Sequence, residues 1–231
     1  CPGKPFPSMF RRFIDDGFVV FEGSEQELLV LVEVLNTTLD NIKITFQYSR
    51  FQVDFLDTVI YKCMEDAETS LDGKVRLKVR THQKVLNKYL YIPYNSFHHH
   101  GMFKSFINAE LIRYIVTNSD ECWLNCMVRK FTHRLRQRGY PLALIDNITS
   151  RVSFSNRQQY LASCGKQKAR PGRSVLVVPY AQFVPQLRLP QLLREQYEKG
   201  GATLHAEMPQ RPIVAYTKSR NLGSLLVKAS H

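Results

Sequence analysis

Two carboxylates stand side by side at Asp15 and Asp16, within the stretch RRFIDDGFVVFEG of residues 11–23, and Phe13, Ile14, Phe18, Val19, Val20 and Phe21 surround them. Adjacent carboxylates repel, and constraining them costs free energy unless a cation neutralises them. A divalent ion meets that need. Mg²⁺ takes hard oxygen ligands, typically one or two carboxylates together with substrate phosphates, and Mn²⁺ accepts the same donors. In phosphoryl and nucleotidyl transfer two such ions activate the attacking hydroxyl and stabilise the leaving group. Asp-Gly is also among the commonest hairpin turns, so the dipeptide alone does not decide between chemistry and a plain turn.

The cationic residues form the second candidate set. Lys and Arg number 32 against 20 Asp and Glu, a net charge of +12, which favours a polyanionic partner, nucleic acid first. Val75, Leu77 and Val79 alternate with Arg76, Lys78 and Arg80, so a strand there has one apolar and one cationic face. With His82 and Lys84 continuing outward, that face either tracks a polynucleotide backbone through phosphate contacts or is simply solvated. On a helix of about 120–138, Arg129, His133 and Arg136 fall opposite the stripe Trp123, Met127, Phe131, Leu135, with Arg134 and Arg138 near the end. The stripe reads as core and the basic face as a surface for a duplex. The segment GKQKARPGR carries Lys166, Lys168, Arg170 and Arg173 without acidic relief and reads as a mobile basic loop with phosphate contact as a secondary role.

Other polar clusters read as structural. Consecutive His98, His99 and His100 in an extended loop point different ways, and Cys122, Cys126 and His133 lack a fourth ligand at usual zinc spacing. Asp57 in FLDT fits a local hydrogen bond or ion pair better than catalysis.

The elements that position these residues follow from pattern. Met9–Glu22 reads as a hairpin with the two aspartates at its tip and Gly17 taking the turn conformation. Ser24 and Glu27 form a capping box ahead of Leu28, Leu31, Val32 and Leu35 at helical spacing, predicting a helix over roughly 25–39. IKITFQYS, VDFLDTVIYKCM and KVRLKVRT read as three β runs. A helix is expected over about 103–117 and another from a cap at Ser119 or Asp120 to Gly139 and Pro141. A third helical stretch spans about 142–163. SVLVVPY reads as a strand, QLLREQYEK as a helix ended by Gly200–Gly201, and RPIVAY as a strand. The fold class is therefore α+β, in three regions: 1–83, 84–164 and 165–231.

Five scattered cysteines, Cys1, Cys63, Cys122, Cys126 and Cys164, with no signal peptide predict an intracellular, reducing compartment, and a nuclear location suits a nucleic-acid partner. No apolar stretch approaches the roughly 18–20 residues that would span a bilayer, so no membrane partner is expected.

Taken in order, these motifs resemble a reverse transcriptase from the catalytic hairpin of its palm onward. RFIDDGFVVFEG is similar to that family's aromatic-x-Asp-Asp box, and VDFLDTVIYK to the Phe-Leu-Asp strand that follows it in retroelement polymerases. NKYLYIPYNSFHHHGMFKSFI, RLRQRGYP and RPIVAYTKSRNLGSLLVKA resemble the region after the palm in Penelope-like retroelement enzymes. The likeness covers nearly the whole chain. Where that group often carries His-Pro after the Ser of the Tyr-Leu segment, this chain has His98-His99.

The resemblance implies the C-terminal half of a polymerase palm over 1–83, a helical thumb over 84–164, and a basic loop with a small α/β region over 165–231. It implies RNA-directed DNA polymerase activity by a two-metal mechanism, with RNA template, DNA primer and deoxynucleotides as partners. Asp15 and, less directly, Asp16 would hold Mg²⁺ or Mn²⁺, with Phe13 beside the primer end or substrate sugar. The basic residues Arg76, Lys78, Arg80, Lys84, Arg129, His133, Arg134, Arg136 and Arg138 would contact nucleic acid. The family also needs a metal-binding aspartate on an earlier palm strand, which is expected upstream of Cys1 in the same polypeptide. The alternative is a retroelement-derived nucleic-acid-binding module without polymerase activity.

Overall fold

A computed structural model describes residues 7–38, 43–63, 76–163, 174–180 and 187–217. They form a mixed α and β architecture in the order β1 (Met9–Phe13), β2 (Asp16–Val20), α1 (Glu25–Thr38), β3 (Gln52–Phe55), β4 (Thr58–Cys63), β5 (Arg76–Thr81), α2 (His100–Thr117), α3 (Glu121–Gln137), α4 (Leu142–Thr149), α5 (Arg157–Ser163), β6 (Val175–Pro179), α6 (Leu189–Lys199), α7 (Ala202–Glu207) and β7 (Ile213–Thr217). The described strands make an antiparallel ribbon β1-β2, an antiparallel sheet β3-β4-β5 and a parallel pair β6-β7. The chain divides into two compact units, Cys1–Leu90 with Arg113–Arg134 and Tyr91–Ile112 with Leu135–His231, so α2 and α3 each run through both. The basic segment with Lys166, Lys168, Arg170 and Arg173 lies outside the described residues, as do Cys1, Cys164 and the chain after Thr217.

The buried side chains concentrate on the helices. Phe103, Ile107, Leu111, Tyr114 and Ile115 on α2, Leu124, Met127, Phe131 and Leu135 on α3, and Ile145 and Ile148 on α4 are buried. Their i, i+3, i+4 recurrence is the reason these segments are helices: each apolar stripe has a face to hide, at about 1.5–3 kcal/mol per large side chain. Tyr114 meets Phe131 edge-on at 5.6 Å, tying α2 to α3. The α3 core stripe starts at Leu124; Trp123, expected in that stripe, is 39% exposed at its rim. Gly139 adopts φ +82, the left-handed conformation that ends α3.

Four local readings are corrected. The turn of the first hairpin is Ile14–Asp15, with Ile14 at φ 53, while Asp16 pairs with Phe13 and Gly17 pairs with Arg12 inside the ladder. VDFLDTVIYKCM folds back on itself as β3 and β4 about Leu56–Asp57, because Leu56 takes φ 54. The described part of IKITFQYS carries no ladder: the Asn36 amide donates to Ile44 O at 3.1 Å and its carbonyl accepts from Ile44 N at 2.6 Å, doing the work of a neighbouring strand. The stretch 142–163 breaks between α4 and α5, where Ser153 Oγ accepts from Ser155 N and starts a 3₁₀ turn.

The capping box closes as its spacing predicts. Glu27 Oε2 accepts from Ser24 N at 2.7 Å, and Glu27 N donates to Ser24 Oγ. The backbone hydrogen bond holds the Glu27 carboxyl below its ordinary pKa.

Candidate nucleic-acid interface and paired carboxylates

The β1-β2 ribbon fixes Asp15 and Asp16 by a two-residue turn between paired Phe13 and Asp16. Arg12 Nε donates to Ile14 O at 2.7 Å across the tip. Phe13, Asp15 and Asp16 are all exposed, and no hydrogen bond or ion pair engages either carboxylate among the described residues. Phe18 on β2 packs against Phe55 on β3, with ring centroids 5.7 Å apart, which anchors the ribbon behind its tip. The donor set at the tip is two hard oxygen acids with open approaches, which fits an ion that shares its remaining positions with substrate phosphates. No group of three His, Cys, Asp or Glu converges among the described residues.

The cationic strand face is placed differently from a solvated stripe. Arg76 is exposed, but Lys78 pairs with Asp120 at 3.3 Å and is three-quarters buried. Arg80 lies over the Trp123 ring at 4.6 Å and donates to Gln52 Oε1 at 3.1 Å. The turn between α2 and α3 clasps this strand. Ser119 N donates to Val79 O at 2.7 Å, Val79 N donates to Ser119 Oγ at 2.9 Å, and the fully buried Asn118 bonds Thr81 through both ends of its amide. Tyr61 completes the arrangement by donating its hydroxyl to Asp120 at 2.6 Å; burial and that bond push its pKa up to about 12.

On α3, Arg129, Lys130, His133 and Arg136 are exposed and follow one another at helical spacing. Arg134 instead lies over Tyr89 at 4.1 Å and donates to Gln83 Oε1 at 3.2 Å, and Arg138 Nε donates to Tyr91 O at 2.7 Å. The expected basic face therefore splits: Arg129, His133 and Arg136 are presented outward, while Arg134 and Arg138 hold neighbouring loops. Lys84 is exposed in the loop after β5. Lys130 escaped the sequence reading, although its place beside Arg129 on the same helix face was a readable signal.

The three consecutive histidines each meet a different ring. His99 stacks on Tyr216 at 4.4 Å, His98 meets the edge of Phe103 and His100 faces Tyr94, so the three rings diverge. Burial lowers the His99 pKa from its ordinary value. Asp57 pairs with Arg113 at 3.2 Å.

Comparison with known proteins gives a match over residues 90–150 to the animal helix-turn-helix domain. That span includes α2, the three-residue turn Asn118–Asp120, α3 and α4. No curated protein and no solved structure matches the chain. No helix among the described residues is long and apolar enough to cross a membrane.

Proposed function

We propose that this chain is part of an RNA-directed DNA polymerase in which the first hairpin holds the catalytic ions and the helices after the sheet grip the primer–template. The observation that carries the reading is the pair Asp15–Asp16: two exposed carboxylates without a counter-ion among the described residues, at the turn end of the first hairpin, in a chain of net charge +12. The ordered resemblance from the aromatic-x-Asp-Asp box onward supports it. The divalent ions, when bound, lower the pKa of the primer 3′-hydroxyl and neutralise charge on the triphosphate. Asp15 and Asp16 would hold these ions, and Phe13 would border the primer end. The 3′-hydroxyl loses its proton to solvent as its oxygen attacks the α-phosphorus, a new P–O bond forms, the bond to the β-phosphate oxygen breaks, and pyrophosphate leaves. Arg129, Lys130, His133 and Arg136 on the open face of α3 contact backbone phosphates, which position the duplex without reading its sequence.

A second reading is a nucleic-acid-binding module without polymerase chemistry. The helix-turn-helix match over 90–150 favours it, since such a domain lays a helix into a duplex groove. RNA-templated primer extension by the intact polypeptide separates the two. Extension that Asp15→Asn abolishes is expected for the polymerase. Equal extension by the variant would remove the metal assignment. Duplex binding without extension by either protein would establish the binding module.

A further inference from the structure

A cavity of about 220 Å³ opens in the first unit, lined by Val59, Arg80, Gln83, Trp123, Met127 and Lys130 among others. Val59 and Met127 are buried and give it an apolar floor. Its charged rim is made of donors. The Lys130 ammonium is exposed and has no carboxylate partner among the described residues, and no Asp or Glu lines the cavity. Arg80 spends one hydrogen bond on Gln52 and rests on Trp123. Gln83 is turned with its carbonyl toward Arg134, and its Nε2, like Arg134 Nη1, is buried without a hydrogen-bond partner among the described residues.

The geometry points to a phosphate-binding pocket that takes a nucleotide phosphate, either in a polynucleotide backbone or as a free nucleotide. A phosphate carries several strong acceptors for the Arg80 fork and the Lys130 ammonium, the two cations that line the cavity. Trp123, 39% exposed beside them, offers a ring surface for the attached base. A carboxylate ligand has fewer acceptor oxygens for these donors and brings no base to the exposed part of the ring. The polynucleotide source rests on the nucleic-acid reading above; the free-nucleotide source does not.

Trp123 is the single tryptophan of the chain, so its fluorescence reports on the wall of this pocket. The full chain is titrated with inorganic phosphate, with thymidine monophosphate and with a short oligothymidylate, while anisotropy of a labelled copy of the oligonucleotide follows overall binding. A saturable change in emission with thymidine monophosphate or the oligonucleotide is expected, with the midpoint raised roughly tenfold by Lys130→Gln and unmoved by Lys104→Gln on α2. Silent emission with all three probes, or the same midpoints in Lys130→Gln, would overturn the pocket. Oligonucleotide binding by anisotropy with silent emission also overturns it but leaves the nucleic-acid reading standing. A response to thymidine monophosphate without oligonucleotide binding supports the pocket as a free-nucleotide site and counts against that reading.

Discussion

The hairpins at Phe13–Asp16 and Phe55–Thr58 are built alike. Each has a phenylalanine before a two-residue turn, an aliphatic residue in the left-handed region, Ile14 at φ 53 and Leu56 at φ 54, and then an aspartate. Their surroundings differ. Asp57 is tied to Arg113 at 3.2 Å, its carbonyl accepts from His82 N at 2.8 Å, and Thr58 Oγ1 donates to Phe55 O at 2.9 Å. The hairpin continues into β5 and buries Val59 and Cys63. The first hairpin is a lone ribbon whose β1 is exposed throughout and whose carboxylates have no partner among the described residues. One turn design thus occurs in two settings: Asp57 has a cation built into the fold beside it, and the Asp15–Asp16 pair has none among the described residues.

The strongest way to break that contrast is to neutralise each acid in turn. Asp15→Asn in the intact polypeptide is expected to lower primer extension by roughly two to three orders of magnitude, because metal charge stabilisation is worth several kcal/mol and each ~1.4 kcal/mol is tenfold. Asp57→Asn should leave the rate within about twofold, as expected for an acid that only holds a surface pair. Equal losses in single-turnover measurements would erase the distinction between the hairpins.

Removing the clasp on β5 tests what makes the second hairpin rigid. Asn118 is fully buried and serves Thr81 N, Thr81 Oγ1 and Tyr114 O. Asn118→Ala leaves those groups short of partners, for an expected loss of about 3 kcal/mol in urea denaturation. Amide exchange in β3-β4-β5 should then approach that of the β1-β2 ribbon.

Tyr61 gives the same sheet a pH signature that the ribbon lacks. Its pKa, 10.0 in an ordinary tyrosine, is pushed up to about 12 by burial and the bond to Asp120. Below pH 10 the hydroxyl is neutral in both folded and unfolded chains, and its contribution to stability is fully present. As pH rises from about 10 to 12 the unfolded chain releases the proton first, so that contribution is lost across this window. Tyr61→Phe should flatten the decline measured by thermal unfolding against pH, and cost about 1 kcal/mol at neutral pH through the missing hydrogen bond.

A smaller effect concerns the turns themselves. A left-handed conformation costs an L-residue roughly 1–2 kcal/mol, and glycine returns about half of that through its own chain entropy. Ile14 is 74% exposed and gives up little packing, whereas Leu56 is 39% exposed. Ile14→Gly is therefore expected to slow amide exchange in its ribbon by about 0.5 kcal/mol, and Leu56→Gly to gain less or nothing.

These contrasts also mark how far local pattern reaches. The first hairpin, the Ser24–Glu27 cap and the stripes of α2 and α3 were legible because each rests on residues within a few positions of one another. The second hairpin was hidden, since its turn uses Leu56–Asp57 where glycine or asparagine usually announces a reversal. The Asn36 bonds that keep the described part of 42–49 out of a ladder, the Lys78–Asp120 pair and the Arg134–Gln83 bond join residues 8, 42 and 51 positions apart. Amphipathic spacing placed the cations on a face; it carried no information on which of them the fold would use. Trp123 likewise lies at the rim, where Arg80, 43 positions earlier, sits over its ring at 4.6 Å.

The smallest expected effect is on the stability contribution of the Asp57–Arg113 pair itself. The two side chains are 65% and 35% exposed, so water and salt screen most of their attraction. Arg113 also lies over the Tyr114 ring at 5.0 Å and keeps that contact when the carboxylate goes. Asp57→Asn should cost no more than about 0.5 kcal/mol, and the difference from the parent should vanish in high salt. A loss of several kcal/mol, or one indifferent to salt, would mean that Asp57 is held by more than this pair. The two hairpins would then differ in kind of fold support as well as in the presence of a counter-ion.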